Sequence, residues 1–498
     1  MADNKVTFDE LKSHLWESAN ILRGSIDSSD YKNYIFGMLF LKRLSDVFEE
    51  EALKLEAEYE DKELAWNDPD FHELFVPKRA RWENLEKVSD DIGAEINKAF
   101  ESLEENNPIL EGVLVSIDFN DKERLPDDVL QQLIVHFSKL ELGNKNLEDA
   151  DLLGRAYEYL IRQFADDAGK KGGEFYTPRQ VVKLLVEILD PKPDMRVYDP
   201  TCGSGGMLVY AAEHLEENGR DKKEVMLYGQ EKNLNTWAIC KMNMLLHGLP
   251  DAKIAKGDTM RDPKFTDNGE LELFDRVIAN PMWNQSSWSK KWLKDNEPYG
   301  RFPYGFPPAN SGDWAWIQHM LASTTVDGRV GVVLDNGVLF RSRSEGKIRK
   351  KALQDDLIEA VIALPGNLFY NTSSPGCILI LNKNKPAERK NKVIFIYGEE
   401  GYQEESNQNI LREEDIAKIL TAYNSWEDEE KYCRVVEIEE IKRNDFNLNV
   451  PRYVDTTEPE EPVNIDEVLS NLNKLEEERE SIESRVSGYL RELGYNAE

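Results

Sequence analysis

The stretch "VYDPTCGSGGML" at residues 197–208 joins a short apolar run, a glycine-rich turn and the start of a helical pattern. Asp199 stands where the apolar run ends, and the glycines of the turn let the backbone bend tightly and approach a ligand closely. The turn differs from the GxGxxG turn of dinucleotide-binding folds. Doubly wound sheets bind ligands at the carboxyl ends of their strands, so the stretch predicts an α/β fold with a ligand site at this turn.

The residues around this stretch repeat the alternation of a strand with a helix. Such alternation predicts βαβ units and a mostly parallel sheet, here of seven strands. The predicted strands are residues 195–199, 225–230, 252–256, 274–279, 329–334, 358–364 and 377–382. The segment "PGNLFYNTSSPG" between the last two is too short for a crossover helix, so we expect these two strands to be antiparallel.

The two ends of the chain differ from this central pattern. Residues 1–165 carry apolar residues mainly at helical spacing and predict an α-helical N-terminal domain, followed by a catalytic domain at 166–455. The tail, residues 456–498, begins within an acidic, proline-bearing linker, "DTTEPEEPVN". A predicted helix follows, with apolar residues mostly at steps of three and four from Ile465 to Leu493. Such a stripe packs on its own protein or on a partner helix, and its place behind a linker favours a partner.

The net charge of −33 argues against a free-standing DNA-binding protein, because phosphate contacts need Lys and Arg. Residues 1–150 carry 17 Lys/Arg against 35 Asp/Glu, whereas residues 281–351 carry 11 against 6. Contact with nucleic acid is therefore expected in the second segment, and a solvated charged surface is the alternative. The chain lacks a long apolar run and a basic, then apolar, leader, which predicts a cytoplasmic protein with no membrane contact. Scattered Cys and His residues predict reduced thiols and no metal site.

Acidic residues follow the second and third predicted strands. Glu231 closes "YGQE", and a carboxylate at this place accepts the hydroxyls of a ribose in nucleotide-binding folds. Asp258 closes "KGD", where it could bind the amino group of an adenine. Each residue alone is also consistent with an ordinary acid at a strand end, and Asp258 alone is the weaker signal. Together with the glycine turn, they predict a pocket for an adenosyl group whose amino-acid tail lies on the glycines.

The stretch "VIANPMWNQ" at 277–285 ends the fourth predicted strand, at the same edge of the sheet. The amide oxygen of Asn280 and the carbonyl of Pro281 can accept both hydrogens of an exocyclic amine, and proline fixes the direction of its carbonyl. Trp283 offers a stacking face for a base turned out of a duplex. This arrangement predicts methyl transfer from a sulfonium to an amine, achieved by positioning and electrostatics. The alternative is a turn after a strand, with Trp283 in the core.

The segments "GGEFYTPRQVVKLL", "DPTCGSGG" and "ANPMWN", in this order, resemble the modification subunit of type I restriction–modification systems. The similarity covers most of the chain. It implies a Rossmann-like class I methyltransferase core that uses S-adenosylmethionine to methylate the N6 amino group of adenine in DNA. As partners it implies double-stranded DNA, a restriction subunit, and a specificity subunit that chooses the DNA site and binds two modification subunits.

The resemblance also implies roles for single residues. Asn280 and the Pro281 carbonyl would bind the target amino group, with Trp283 stacked on the target base. The residues implied around S-adenosylmethionine are Glu174, Phe175, Tyr176, Thr177, Pro178 and Arg179 at its border, Asp199, Thr201, Gly203, Ser204, Gly205 and Gly206 at its methionine end, Glu231 at the ribose and Asp258 near the adenine. Met282 stands where the family usually has a second proline, which puts the rigidity of the following turn in doubt.

Several of the basic residues after the fourth and fifth predicted strands are expected to contact phosphates beside the flipped adenine, above all Lys290, Lys291, Arg341, Arg343 and Lys347. The full set is Lys290, Lys291, Lys294, Arg301, Arg341, Arg343, Lys347, Arg349 and Lys350. Base-edge recognition needs a dedicated surface, and none is evident, since residues 451–498 carry 5 Lys/Arg against 13 Asp/Glu.

Two other functions remain open. Protein glutamine N5-methyltransferases share an Asn-Pro-Pro-aromatic motif, but they usually lack the "EFYTP" element and the helical N-terminal domain. A non-catalytic assembly module is the second alternative. The intact glycines, the strand-end acids and Asn280 argue against it.

Overall fold

The computed structural model describes residues 5–27, 30–115, 117–148, 152–156, 159–160, 177–369, 372–405, 408–457 and 465–495. The chain divides into two units, Met1–Val454 and Asp455–Glu498. The predicted site residues Glu174, Phe175 and Tyr176 lie outside the described residues, as does the predicted domain boundary at 165. Within the described ranges, no helix is long and apolar enough to cross a lipid bilayer.

The first unit begins with helices, as the sequence predicts. They are α1 (Phe8–Leu22), α2 (Tyr31–Tyr59), α3 (Lys62–Asn67), α4 (Trp82–Leu85), α5 (Ile92–Asn106) and α6 (Asp127–Phe137). Helix α1 starts with a capping box, in which the Thr7 hydroxyl accepts from the Glu10 N–H and the Glu10 carboxylate accepts from the Thr7 N–H. The apolar faces of these helices belong to the same buried cluster as one face of the sheet that follows.

The strands of the first unit are β1 (Arg196–Asp199), β2 (Met226–Glu231), β3 (Lys253–Lys256), β4 (Thr266–Asp267), β5 (Glu270–Leu271), β6 (Phe274–Ala279), β7 (Thr324–Asp335), β8 (Ile358–Ala363), β9 (Gly376–Asn382), β10 (Lys392–Tyr397), β11 (Gln403–Glu404), β12 (Asn409–Ile410) and β13 (Cys433–Glu437). Nine of them form one sheet in the order β13-β10-β8-β9-β7-β6-β1-β2-β3. The pairs β4–β5 and β11–β12 form separate two-stranded hairpins.

All seven predicted strands are present, and β8 and β9 are antiparallel, as predicted from their short connection. The predicted count of seven is too low, because β10 pairs with β8 in parallel and β13 adds an antiparallel edge. The sequence does show the apolar run of β10, "VIFI", which is buried on both faces. Strand β13 is short and only partly buried at the edge, so its own sequence carries little signal.

Helices cover both faces of the sheet. They are α7 (Arg179–Leu189), α8 (Gly206–Glu217), α9 (Leu234–Leu246), α10 (Lys290–Asn296), α11 (Asp313–Ala322), α12 (Arg343–Gln354), α13 (Glu413–Ser425) and α14 (Ile438–Arg443). Neighbouring residues of a strand face opposite sides: Val197 belongs to one buried cluster and Tyr198 to the other. A sheet covered on both faces explains the continuous apolar runs of its strands.

The order of the strands reverses at β1. Strands β2 and β3 continue in parallel on one side of β1, whereas β6 lies parallel to β1 on its other side. In open α/β sheets, ligands bind at the carboxyl ends of the strands at such a switch point. Asp199, which ends β1, and Asn280, which follows β6, therefore lie at the same edge of the sheet.

The second unit contains the predicted C-terminal helix, α15 (Ile465–Glu492). The large apolar side chains of this helix are all exposed, and Leu490 is the least exposed of them at 36%. Leu493, which directly follows the helix, is 72% exposed.

Candidate active site

The glycine turn after β1 is held by β2 and α9. The N–H of Gly203 donates to the Glu231 carboxylate at 3.1 Å, and the Asn243 amide donates to the Ser204 carbonyl at 3.0 Å. Gly205 has a φ of +86°, and a Cβ at this position would lie 2.7 Å from the Cys240 sulfur. The turn therefore packs too closely on α9 to accept a side chain at Gly205, and α8 begins directly after it.

A cavity that opens to solvent lies at this turn. Eight predicted site residues line it: Thr177, Arg179, Asp199, Thr201, Gly203, Ser204, Gly206 and Asn280. Two motifs that are far apart in the sequence, the glycine turn and the Asn280 motif, therefore meet in one cavity.

The other predicted site residues that the structure describes do not line this cavity. They are Pro178, Gly205, Glu231, Asp258, Pro281 and Trp283. The Glu231 carboxylate accepts hydrogen bonds from the N–H groups of Gly203 and Asn233, so it stabilises the glycine turn. The Asp258 carboxylate accepts a hydrogen bond from the Lys232 ammonium group at 2.8 Å. The expected contacts of Glu231 with a ribose and of Asp258 with an adenine remain predictions.

Four further residues line the cavity and were not predicted from the sequence: Val182, Cys202, Met207 and Tyr210. Met207 and Tyr210 are three residues apart on α8 and so lie on the same face of the helix, a signal present in the sequence. The Tyr210 hydroxyl is buried and has no hydrogen-bond partner among the described residues. The guanidinium of Arg179 lies 5.0 Å from the centre of the Tyr210 ring. A buried hydroxyl in a cavity favours a polar ligand, since buried polar groups are nearly always hydrogen-bonded.

Asp199 provides the buried acid of the cavity. The residue is 2% exposed, and its carboxylate accepts a hydrogen bond from the Thr201 N–H at 2.9 Å. Burial, assisted by the negative charge of Glu231, raises the pKa of Asp199 to about 7 against the opposing effect of its hydrogen bonds from Thr201. A cation bound beside Asp199 would favour its ionised form.

The side chain of Asn280 is fixed from both ends. Its amide nitrogen donates to the Thr177 hydroxyl at 2.9 Å, and its amide oxygen accepts from the Trp283 indole N–H at 3.0 Å. Because an indole N–H can only donate, the oxygen has to face Trp283. The Trp283 ring also packs edge-on against Phe369, with 4.8 Å between ring centres. Trp283 thus engages one lone pair of the oxygen that is predicted to accept from a target amine, and the second lone pair can accept another hydrogen bond.

Two of the candidate residues for phosphate contact are buried. Arg301 is fully buried, where it donates to the carbonyls of Thr259 and Met260 and pairs with Glu297 at 2.7 Å. Arg349 is 2% exposed and donates to the Phe446 carbonyl at 2.7 Å. Neither guanidinium can reach DNA from these positions without breaking several buried hydrogen bonds.

The remaining basic residues of this segment differ in exposure. Arg341 is bound to three carboxylates, those of Asp313, Asp335 and Glu345. Lys290 is half-buried and donates to the Pro307 carbonyl. The exposed residues are Lys291, Lys294, Arg343, Lys347 and Lys350. They follow β6 and β7, which are parallel, so they leave from the edge of the sheet that carries the cavity.

The chain matches known protein families and curated relatives along most of its length. Residues 148–462 match the family model described as N-6 DNA Methylase, and residues 11–137 match the HsdM N-terminal domain. The chain is 38% identical to the type I restriction enzyme MjaVIII methylase subunit of Methanocaldococcus jannaschii, covering 98% of this chain and 85% of the relative. It is 35% identical to the HindI methylase subunit of Haemophilus influenzae, covering 84% and 100%.

A solved structure is also similar. It is the type I restriction-modification system methyltransferase subunit from Streptococcus thermophilus, with a TM-score of 0.80 and 32% identity. The match covers 90% of this chain and all of that one.

Proposed function

Because this chain belongs to the N-6 DNA methylase family, among the methylase subunits of type I restriction enzymes, we propose that its cavity binds S-adenosylmethionine beside the target adenine. One observation carries the proposal: Asp199, the glycine turn and Asn280 line a single cavity at the switch point of the sheet. A methyltransferase needs its methyl donor and its acceptor within reach of each other, and this cavity adjoins both predicted sites.

The residues of the cavity fit S-adenosylmethionine. When bound, this cofactor supplies an electrophilic methyl group on a sulfonium. The N–H groups at the start of α8 suit a carboxylate, the Asp199 carboxylate suits an ammonium, and the Tyr210 hydroxyl can bind either. We assign the ribose to Glu231 and the adenine to the neighbourhood of Asp258. The predicted border residues 174–179 complete the proposed site.

Asn280 and Pro281 would hold the amino group of the target adenine. Their two oxygens accept its two hydrogens, which keeps the nitrogen lone pair available and directs it toward the methyl group. The Asn280 oxygen accepts a hydrogen bond from the Trp283 indole in this structure, and its second lone pair can accept a hydrogen of the adenine amino group. The Trp283 ring would stack on the flipped base.

The direct test uses the protein co-expressed with its specificity subunit, unmethylated DNA and S-adenosylmethionine labelled in the methyl group. Label recovered as N6-methyladenine supports the proposed function. Label found only on protein glutamine supports the first alternative. Binding of the cofactor without transfer to any acceptor supports the non-catalytic module.

We propose that α15 joins this subunit to its specificity subunit, with two copies of this chain per specificity subunit and a restriction subunit as the further partner. Its apolar residues fall on alternating steps of three and four, which is a heptad seam with one polar position at Arg479: Ile465, Val468, Leu472, Leu475, Ile482, Val486, Tyr489 and Leu493. A heptad seam packs against other helices. The exposure of this seam supports a partner, and so does the separation of Asp455–Glu498 as its own unit.

The raised pKa of Asp199 gives the proposed cofactor site a pH dependence. Below about pH 7 the carboxyl is protonated, so binding of an ammonium beside it has to release a proton. We expect affinity for S-adenosylmethionine to rise about tenfold from pH 6 to pH 7.5, a range in which an α-amino group stays largely protonated. Without ligand, the contribution of Asp199 to folding stability changes in the opposite direction, falling as the pH rises from 3.8 toward 7.

Calorimetric titration with S-adenosylmethionine at several pH values measures this effect. Asp199→Asn should bind with little dependence on pH, whereas Asp267→Asn, at an exposed acid of β4, should behave as the wild type. A steep dependence that persists in Asp199→Asn would assign the titration to another group.

Exposed basic residues that follow β7 should contact the DNA backbone. We expect Arg343→Glu with Lys347→Glu to weaken DNA binding by the complex and to lower the slope of log K against log salt by about 2, because each lost phosphate contact removes about one released counterion. Filter binding or fluorescence anisotropy over a range of salt concentrations measures the slope. The matched control is Lys223→Glu with Lys253→Glu, at the opposite edge of the sheet, where the slope should not change. Equal slopes in both double variants would exclude this surface as a DNA contact.

A further inference from the structure

The backbone after Asn280 makes a left-handed turn. In the catalytic loop, residues 280–284, Asn284 has a φ of +53°, and the usual second proline is replaced by Met282, which is 42% exposed. A proline at position 282 would restrict the backbone next to the Pro281 carbonyl. This chain therefore needs another source of rigidity, since the carbonyl has to point at the target amine.

A buried carboxylate holds the far end of the catalytic loop. One oxygen of Asp313 accepts the Asn284 N–H at 2.9 Å. Asp313 is the first residue of α11 and is fully buried, and an acid at the start of a helix is favoured by the helix dipole. The loop is thus bound at Asn280 by Thr177 and at Asn284 by a helix of the core.

Arg341 holds Asp313 in turn. Its guanidinium is 2.8 Å from the second oxygen of Asp313 and 2.8 Å from Asp335 at the end of β7. It also reaches Glu345 on α12, at 3.1 Å, and the Ser311 hydroxyl, at 2.7 Å. Arg341 therefore connects the start of α11 with β7 and α12. It binds only the second oxygen of Asp313, so the first oxygen can accept the hydrogen bond from the Asn284 N–H. A buried, fully paired carboxylate of this kind has little freedom to move.

We propose that Asp313 is a positioning residue for adenine methylation: its carboxylate, oriented by Arg341, fixes the catalytic loop and supplies the rigidity that a second proline would give. The proposal rests on the proposed role of Asn280 and Pro281 as the acceptors of the target amino group. It also gives Arg341 a function other than contact with phosphate.

The test measures kcat and the Kd for S-adenosylmethionine of Asp313→Ala and of the wild type, each in complex with the specificity subunit. Arg341 keeps Asp335 and Glu345 in this variant, so no buried charge loses its last partner. We expect kcat to fall about 10- to 100-fold, because small misplacement of a reacting group has effects of this size. The Kd for S-adenosylmethionine should stay within about twofold, since the lost interaction acts on the acceptor side of the reaction.

Rescue separates positioning from a general loss of stability. The Met282 N–H makes no hydrogen bond within the described residues, so Met282→Pro removes no backbone hydrogen bond there, and the φ of Met282 is not in the left-handed region that proline cannot adopt. Met282→Pro should restore most of the kcat that is lost in Asp313→Ala. The matched control is Asp356→Asn, which weakens the buried pair with Lys385 away from the catalytic loop and should leave kcat unchanged.

Two results would overturn the proposal. One is an Asp313→Ala complex with the kcat of the wild type. The other is a loss of kcat that Met282→Pro does not restore and that accompanies an equal loss of cofactor affinity. If the wild-type complex itself placed no label in N6-methyladenine, the proposed function would fail first, independently of these variants.

Discussion

Asn280→Ala is expected to lower kcat for adenine methylation by about 100- to 1000-fold, the usual effect of losing one preorganised hydrogen-bonding group at the reacting atom. The alanine removes the oxygen that would accept a hydrogen of the target amine. It leaves Asp199 and the glycine turn in place, so cofactor binding should persist. Single-turnover transfer of labelled methyl groups, with a separate titration of S-adenosylmethionine, measures the two effects independently.

The matched control for this variant is Asn310→Ala, at an exposed asparagine that does not line the cavity described here. It should methylate DNA as the wild type does. If Asn280→Ala kept a kcat within about threefold of the wild type, the acceptor role of Asn280 would be rejected, because that change is below the effect of such a group.

Deletion of residues 457–498 is expected to abolish co-purification with the specificity subunit and, with it, methylation of DNA by the complex. The deletion removes the whole heptad seam of α15, whereas Met1–Val454 forms its own unit and contains the cavity. Binding of S-adenosylmethionine by the truncated protein should therefore be unchanged. Pull-down with a tagged specificity subunit and calorimetric titration of the cofactor test both statements.

A pair of point variants tests the seam without truncation. Leu472→Lys with Leu475→Lys places two charges on the apolar seam and should break the complex as the deletion does. Ser470→Lys with Glu477→Lys places the same side chains on the opposite face of α15 and should leave the complex intact. Loss of cofactor binding in the truncated protein would instead place the helix in the catalytic core.

The sheet and its site could be predicted from the sequence because their signals are local. Strands buried on both faces need continuous apolar runs, and all seven predicted strands are present. Parallel strands bring their carboxyl ends to one edge, so the nearness of Asp199 and Asn280 follows from the strand order. Strand β13 was not predictable in this way, because a short edge strand is defined mainly by its pairing with β10.

The sequence by itself determined the α/β fold, the glycine turn and the position of Asn280, since hydrophobic period and turn chemistry are properties of neighbouring residues. Only the tertiary structure distinguished Arg341 and Arg349 from the exposed Arg343, which belongs to the same short basic segment. The partners of a guanidinium come from distant parts of the chain, and their approach depends on how the elements pack. For the same reason, only the structure revealed Asp313 beside the catalytic loop, where it takes on the restraint that Met282 lacks.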